Sequence, residues 1–183
     1  MRLAALLLAT ALPTAHAGPT DPIDFRGVPM GAPEAALLNR VPEFNCHASR
    51  PDAEPDVDRF CKATGDALNF GGIRAQSITA RFIDDRLVGM IVLMSEHHFT
   101  VIVGGLREKF GKPTATESST IQNRLGGTFV NTTLTWKRPG SAVLATRYAT
   151  SIDSSSVFFA DTFGNQQLEQ RREQAARERA KSM

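Results

Sequence analysis

Cys46 and Cys61 are the only two cysteines in the 183-residue chain, fifteen positions apart. In an oxidising compartment an even pair at this spacing is most simply one disulfide. Closing a loop of that size stabilises the folded state by roughly 3 kcal/mol. A redox pair calls for Cys-x-x-Cys spacing, and a metal centre needs more ligands than Cys46, His47 and Cys61 supply. The enclosed segment carries Pro51, Pro55, Asp52, Glu54, Asp56, Asp58 and Arg59, with no apolar periodicity. It is expected to be an irregular acidic loop that depends on the staple.

Glu96, His97 and His98 form the densest local group of metal-ligand types, with His47 as a remote fourth member. Adjacent helical positions point about 100° apart, so His97 and His98 do not chelate one ion as an i, i+4 pair would. The expectation is a polar helix start, with no metal and no cofactor. Asp84-Asp85 is read as a hairpin turn instead of an acid–base pair. No Gly-x-Ser-x-Gly elbow is present, and Ser154-Ser155-Ser156 reads as a turn. The run from Gly105 to Pro113 has phosphate-loop composition, but it ends a helix and lacks the hydroxyl residue such loops require. Gly71-Gly72 and Gly126-Gly127 mark bends or bulges, and Asn131-Thr-Thr matches the glycosylation triplet.

The elements that would position these residues follow from periodicity. A first helix is expected from Gly31 to Val41, with Pro33 and Glu34 in its first turn and Pro42 as its stop. Strands are expected near Ala67–Ile73, Ser77–Ile83 and Leu87–Met94, the last two joined across Asp84-Asp85. A second helix spans Glu96–Phe110, with Ser95 as N-cap, a stripe of Phe99, Ile102, Val103, Leu106 and Phe110, and Gly111 as C-cap. Three more strands follow, near Thr128–Lys137, Ala142–Thr150 and Ser156–Asp161, with Pro139-Gly140 between the first two. Each half, 25–94 and 95–164, therefore reads as one helix and three strands, a tandem plan inside a single α+β domain of residues 18–164.

The termini differ in kind. Arg2, the apolar run from Leu3 to Leu12, Pro13 and the small-x-small triplet ending at Ala17 have the form of a cleavable export signal over residues 1–17, with Ala15 and Ala17 as the small residues just before the cut. A spanning helix needs about twenty apolar residues, and Leu87–Met94, the longest later apolar run, suits a strand. Residues 165–183 hold five basic and three acidic side chains, with Leu168 as their only large aliphatic residue before Met183. They are expected to form a solvated helical or disordered tail, with partner tethering as one use. The body between holds 15 basic and 16 acidic residues. It has no basic stripe interleaved with aromatics, which argues against nucleic-acid binding.

The segments Gly27-Val-Pro-Met-Gly-Ala-Pro-Glu-Ala-Ala-Leu-Leu and Leu106-Arg-Glu-Lys-Phe-Gly-Lys-Pro, with the layout around them, resemble the small exported domains of the β-lactamase inhibitor protein and BamE lipoprotein type. The resemblance implies helices on an antiparallel sheet, a unit used twice, and a non-enzymatic protein-binding role. The chain differs in having one cysteine pair, where those repeats carry one each, and no lipid-attachment cysteine at the export cut. The expectation is an exported binding or accessory protein whose partner is another envelope protein. The alternative is a small hydrolase or ligand carrier with a site assembled from distant residues such as Glu96, His98 and Asp153.

Overall fold

The computed structural model describes residues 21–50, 56–123 and 125–181. The expected export signal, with Ala15 and Ala17, lies outside them. A two-residue hairpin, β1 (Asp24–Phe25) and β2 (Val28–Pro29), leads through α1 (Glu34–Arg40) to β3 (Phe44–Ala48) and β4 (Arg59–Ala63). A 3-10 turn at Gly65–Leu68 and a second small hairpin, β5 (Asn69–Phe70) and β6 (Ile73–Arg74), precede β7 (Ser77–Ile83) and β8 (Arg86–Ser95). A 3-10 turn at Glu96–His98 runs into α2 (Phe99–Phe110). Then come β9 (Ala115–Gln122), β10 (Thr128–Arg138), β11 (Ser141–Thr146), β12 (Ser154–Asp161) and α3 (Thr162–Lys181).

The fold is α+β. Eight strands form one antiparallel sheet in the order β3-β4-β7-β8-β12-β11-β10-β9. Each half is a helix followed by a four-stranded meander, and the halves meet at their last strands, β8 and β12. Four strands per half correct the expected three. The additional strands are β3 and β4, which run into the two ends of the segment expected as a loop, and the polar β9. The expected strand at Ala67–Ile73 is instead the 3-10 turn and the β5–β6 hairpin, whose Gly71 and Gly72 take φ of +56° and +81°. That double left-handed turn is open to glycine at no steric cost.

Alternation along the strands divides the sheet into two unlike faces. One carries Ile78, Ala80, Phe82, Met90, Val92, Trp136, Val143 and Phe159, packed with Leu37 of α1 and the buried stripe of α2 into one core. The stripe is the expected Phe99, Ile102, Val103, Leu106 and Phe110. The Trp136 indole donates to the Gly111 carbonyl at 2.8 Å and Arg138 to the Phe110 carbonyl at 2.9 Å, pinning the end of α2 to β10. At the other end of α2, Ser95 makes no side-chain cap, because the chain enters through the 3-10 turn.

The Asp84-Asp85 turn is as expected: both residues take positive φ, 49° and 57°. Short polar side chains tolerate that conformation, which suits a two-residue hairpin. Asp85 also accepts a hydrogen bond from the Glu34 amide at 3.0 Å, at the start of α1. The Cys46–Cys61 disulfide is present and joins directly paired residues of β3 and β4. It therefore clips two ladder strands instead of stapling an otherwise unheld loop. The Asn131 amide exchanges two hydrogen bonds with the Tyr148 backbone, each 2.9 Å, so it serves as an internal clamp for that loop.

The tail is helical, one of the two forms expected, but it is docked at its start where a solvated segment was expected. α3 starts at Thr162 and lies against the second face of the sheet, where Leu168 is 3% exposed and packs with Val57, Ile83 and Val88. Gly164 permits the approach: a Cβ there would sit 2.3 Å from Val88 Cγ1. Its amide donates to Asp161 at 2.7 Å, and the same carboxylate takes a two-pronged hydrogen bond from Arg86 at 2.7 and 2.8 Å. One buried acid thus joins β8, β12 and the start of α3.

Candidate interaction face

The second face is only partly roofed, and strand register fixes what it displays. Phe60 pairs with Arg81, Thr79 with Ile91, Ile91 with Phe158, and Phe158 with Leu144. Paired residues share a face, so Ile91, Leu93, Phe158 and Leu144 form an apolar strip across the middle of the sheet, and Phe60 lies beyond it on β4, with Thr79 and Arg81 of β7 between. All five apolar residues are half-buried, unlike their fully buried neighbours one position away. Lys62, Arg81 and Lys137 flank the strip on the same face, and Lys62 lies 5.3 Å above the Phe60 ring. Glu117 on β9 is the acidic residue that the same register brings to this face.

α3 borders the strip on one side. Shallow depressions lie on both flanks: one between α3 and β11–β12, lined by Ala142, Leu144, Gln166 and Gln170, and one over β4, β7 and β8, lined by Val57, Phe60, Thr79 and Ile91. The helix is held by Leu168 and by ion pairs to the acidic segment after β3. Arg171 binds Asp58 at 2.5 Å, and Arg172 binds Asp56 at 2.7 Å. The Arg171 guanidinium, helped by the Asp84 amide, holds the Asp58 carboxyl below the usual aspartate range against a modest opposing effect of burial. Asp56 and Asp58 therefore dock the tail, a use that the spacing of the acidic residues did not reveal.

The metal candidates are not gathered. Among the described residues, the group of three ligand types within 4.8 Å of one another is Glu34, Cys46 and Cys61, and both of its sulfurs are spent in the disulfide. Glu34 instead grips Arg59 through two hydrogen bonds, 2.6 and 3.0 Å, tying α1 to β4. His47 lies beside Phe60, with ring centroids 5.9 Å apart, while His97 and His98 sit in the 3-10 turn before α2. Glu96 and Asp153 do become neighbours, through a 2.9 Å backbone hydrogen bond. The Glu96 carboxylate, however, is engaged by Arg147 at 2.7 Å, which raises the pKa of that guanidinium further. Ser154 takes its hydroxyl into the Thr150–Ser151 turn and receives both amides, at 3.2 and 3.1 Å. These groups brace the β11–β12 connection. No protein-family model, curated protein or solved structure matches this chain.

Proposed function

We propose that this chain is an exported, non-enzymatic binding or accessory protein of the cell envelope that holds another envelope protein against the open face of its sheet. The observation that supports this reading is the half-buried strip of Ile91, Leu93, Phe158 and Leu144, on a sheet whose other face carries the main core. A contiguous apolar strip with a charged rim is the anatomy of a contact surface. The flanking Lys62, Arg81 and Lys137 favour a partner whose own apolar patch is ringed by carboxylates, since complementary charge speeds encounter and rejects wrong partners. The disulfide and the signal-like first seventeen residues support an oxidising compartment for this role.

A photo-crosslinking amino acid at Leu144, compared with one at Lys112 on the helix side, tests the reading in the producing cell. The expected result is one adduct of defined mass from position 144, abolished by the double substitution Ile91→Asp and Phe158→Asp. Equal labelling from both positions, or none from 144, removes the proposal.

A further inference from the structure

A separate cleft lies on the helix side, away from the strip. It has a volume of about 240 Å³ between the β1–β2 hairpin, the β5–β6 hairpin and α2. Its base is aromatic: Phe25 stacks on Phe70 at 6.1 Å, and the Phe159 ring meets each edge-on at 5.8 and 6.1 Å. Ile102 and Leu106 of α2 supply one wall, with Val101, 59% exposed, at the rim. The mouth carries Arg26, Lys109 and Asp24. Lys109 pairs with Asp24 at 2.7 Å, so the three groups leave one net positive charge.

Two residues shape this cleft. Gly105 occupies the interior of α2, where glycine weakens a helix relative to alanine. A Cβ on it would meet no protein atom within 4 Å, and Gly105 lines the cleft, so what its missing side chain preserves is open volume there. Arg26 takes φ of +51° as the first residue of the two-residue β1–β2 loop, a conformation such a hairpin requires, and that turn sets its side chain on the same cleft. Its guanidinium lies 5.3 Å from the Phe25 ring centroid and donates one hydrogen bond, to the Ala67 carbonyl at 3.2 Å.

We infer that this cleft is a binding site for a small amphiphilic monocarboxylate: an apolar body of about ten carbon atoms, set by a volume just under the range that holds drug-sized ligands. The body lies on the Phe25–Phe70–Phe159 base beside Gly105, and the carboxylate lies at the mouth. Arg26 recognises it with the donors that Ala67 does not use, and an arginine fork matches a carboxylate.

Decanoate, below its micellar concentration, is the probe, and 1-decanol the neutral comparator. Calorimetry is expected to give saturable one-to-one binding of decanoate to the wild-type chain, with amide shifts at Gly71, Ile102 and Gly105 and none on the strip around Leu144. Gly105→Leu should raise thermal stability, because leucine is the better helix former, yet weaken decanoate by about tenfold or more. Arg26→Gly keeps a residue suited to the positive φ of the turn and should cost decanoate about tenfold, as loss of a charge-assisted hydrogen bond does, while leaving 1-decanol unchanged. Absence of saturable binding to the wild type overturns the inference. So does a folded Gly105→Leu variant that binds as well as wild type, or a shift pattern centred on the strip. Equal affinity for acid and alcohol removes the carboxylate assignment.

Discussion

The two faces of the sheet use the same twist and the same ladders to opposite ends. Among the described residues, 28 form one buried cluster on the helix side, with large side chains such as Trp136, Phe82 and Phe159 almost wholly out of water. On the other side the buried cluster among the described residues is Val57, Ile83, Val88 and Leu168, and the strip beside it is half-open. A face that need not carry stability can keep apolar side chains at the surface. This comparison predicts that substitutions in the helix-side core cost stability and spare the contact at the strip, while those in the open strip do the reverse.

The most direct attack on that division is Trp136→Ala. Removing a fully buried indole together with its hydrogen bond to Gly111 should cost about 3–5 kcal/mol, read as a drop in the urea midpoint with an unchanged slope. A loss under about 1 kcal/mol would mean that the helix-side core does not dominate. Next comes Cys46→Ser with Cys61→Ser. The loss of loop closure is expected to be about 3 kcal/mol, destabilising the chain without altering the strip. Leu168→Ala follows at about 2 kcal/mol, the low end for a buried leucine, because its buried cluster among the described residues is small, with Val57, Ile83 and Val88. If this variant leaves the unfolding midpoint unchanged, α3 is a separable cover and not part of the cooperative unit.

Legibility in the sequence followed the same divide. The β7–β8 hairpin, α2 with its five-residue stripe, and β10 through β12 were readable because each buries one face and wets the other, which imprints a clean period. β9, Ala-Thr-Glu-Ser-Ser-Thr-Ile-Gln, buries almost nothing as an edge strand and shows no such period. β3 and β4 hid behind the prolines and acids that separate them, although Cys46 and Cys61 already marked a directly paired position. α3 binds through one leucine and a glycine, too few residues to form a stripe, and its arginines find carboxylates more than a hundred positions away. The strip itself could not be read. Ile91, Leu93 and Phe158 look like core residues until the register shows which side of the sheet lacks a roof.

On the open face, Leu144→Ser should cost less than about 1 kcal/mol, since a half-buried side chain loses little packing. The same change should abolish the crosslink from a photo-reactive residue placed at Leu93. A large stability loss with the crosslink retained would put Leu144 in the core and not at a contact, and the two faces would no longer differ in kind.

The smallest expected effect is the most specific. Asp58 is held below the ordinary aspartate value of 3.8 chiefly by its hydrogen bond to Arg171 on α3. A carboxylate whose folded value is depressed binds fewer protons folded than unfolded, so its contribution is complete above 3.8 and disappears as pH falls through the lower folded value. Acid should therefore loosen α3 before it touches the helix-side core, because Trp136 and its neighbours carry no such carboxylate contact. Amide hydrogen exchange at Leu168 should accelerate below pH 3.8 while exchange at Val92 and Val143 stays slow. Asp58→Asn should raise exchange at Leu168 at neutral pH and blunt its further rise in acid. The pair is partly exposed, so the change is modest and should shrink in salt. If Leu168 and Val143 lose protection together at the same pH, the docked helix and the core unfold as one, and the independence of the two faces fails.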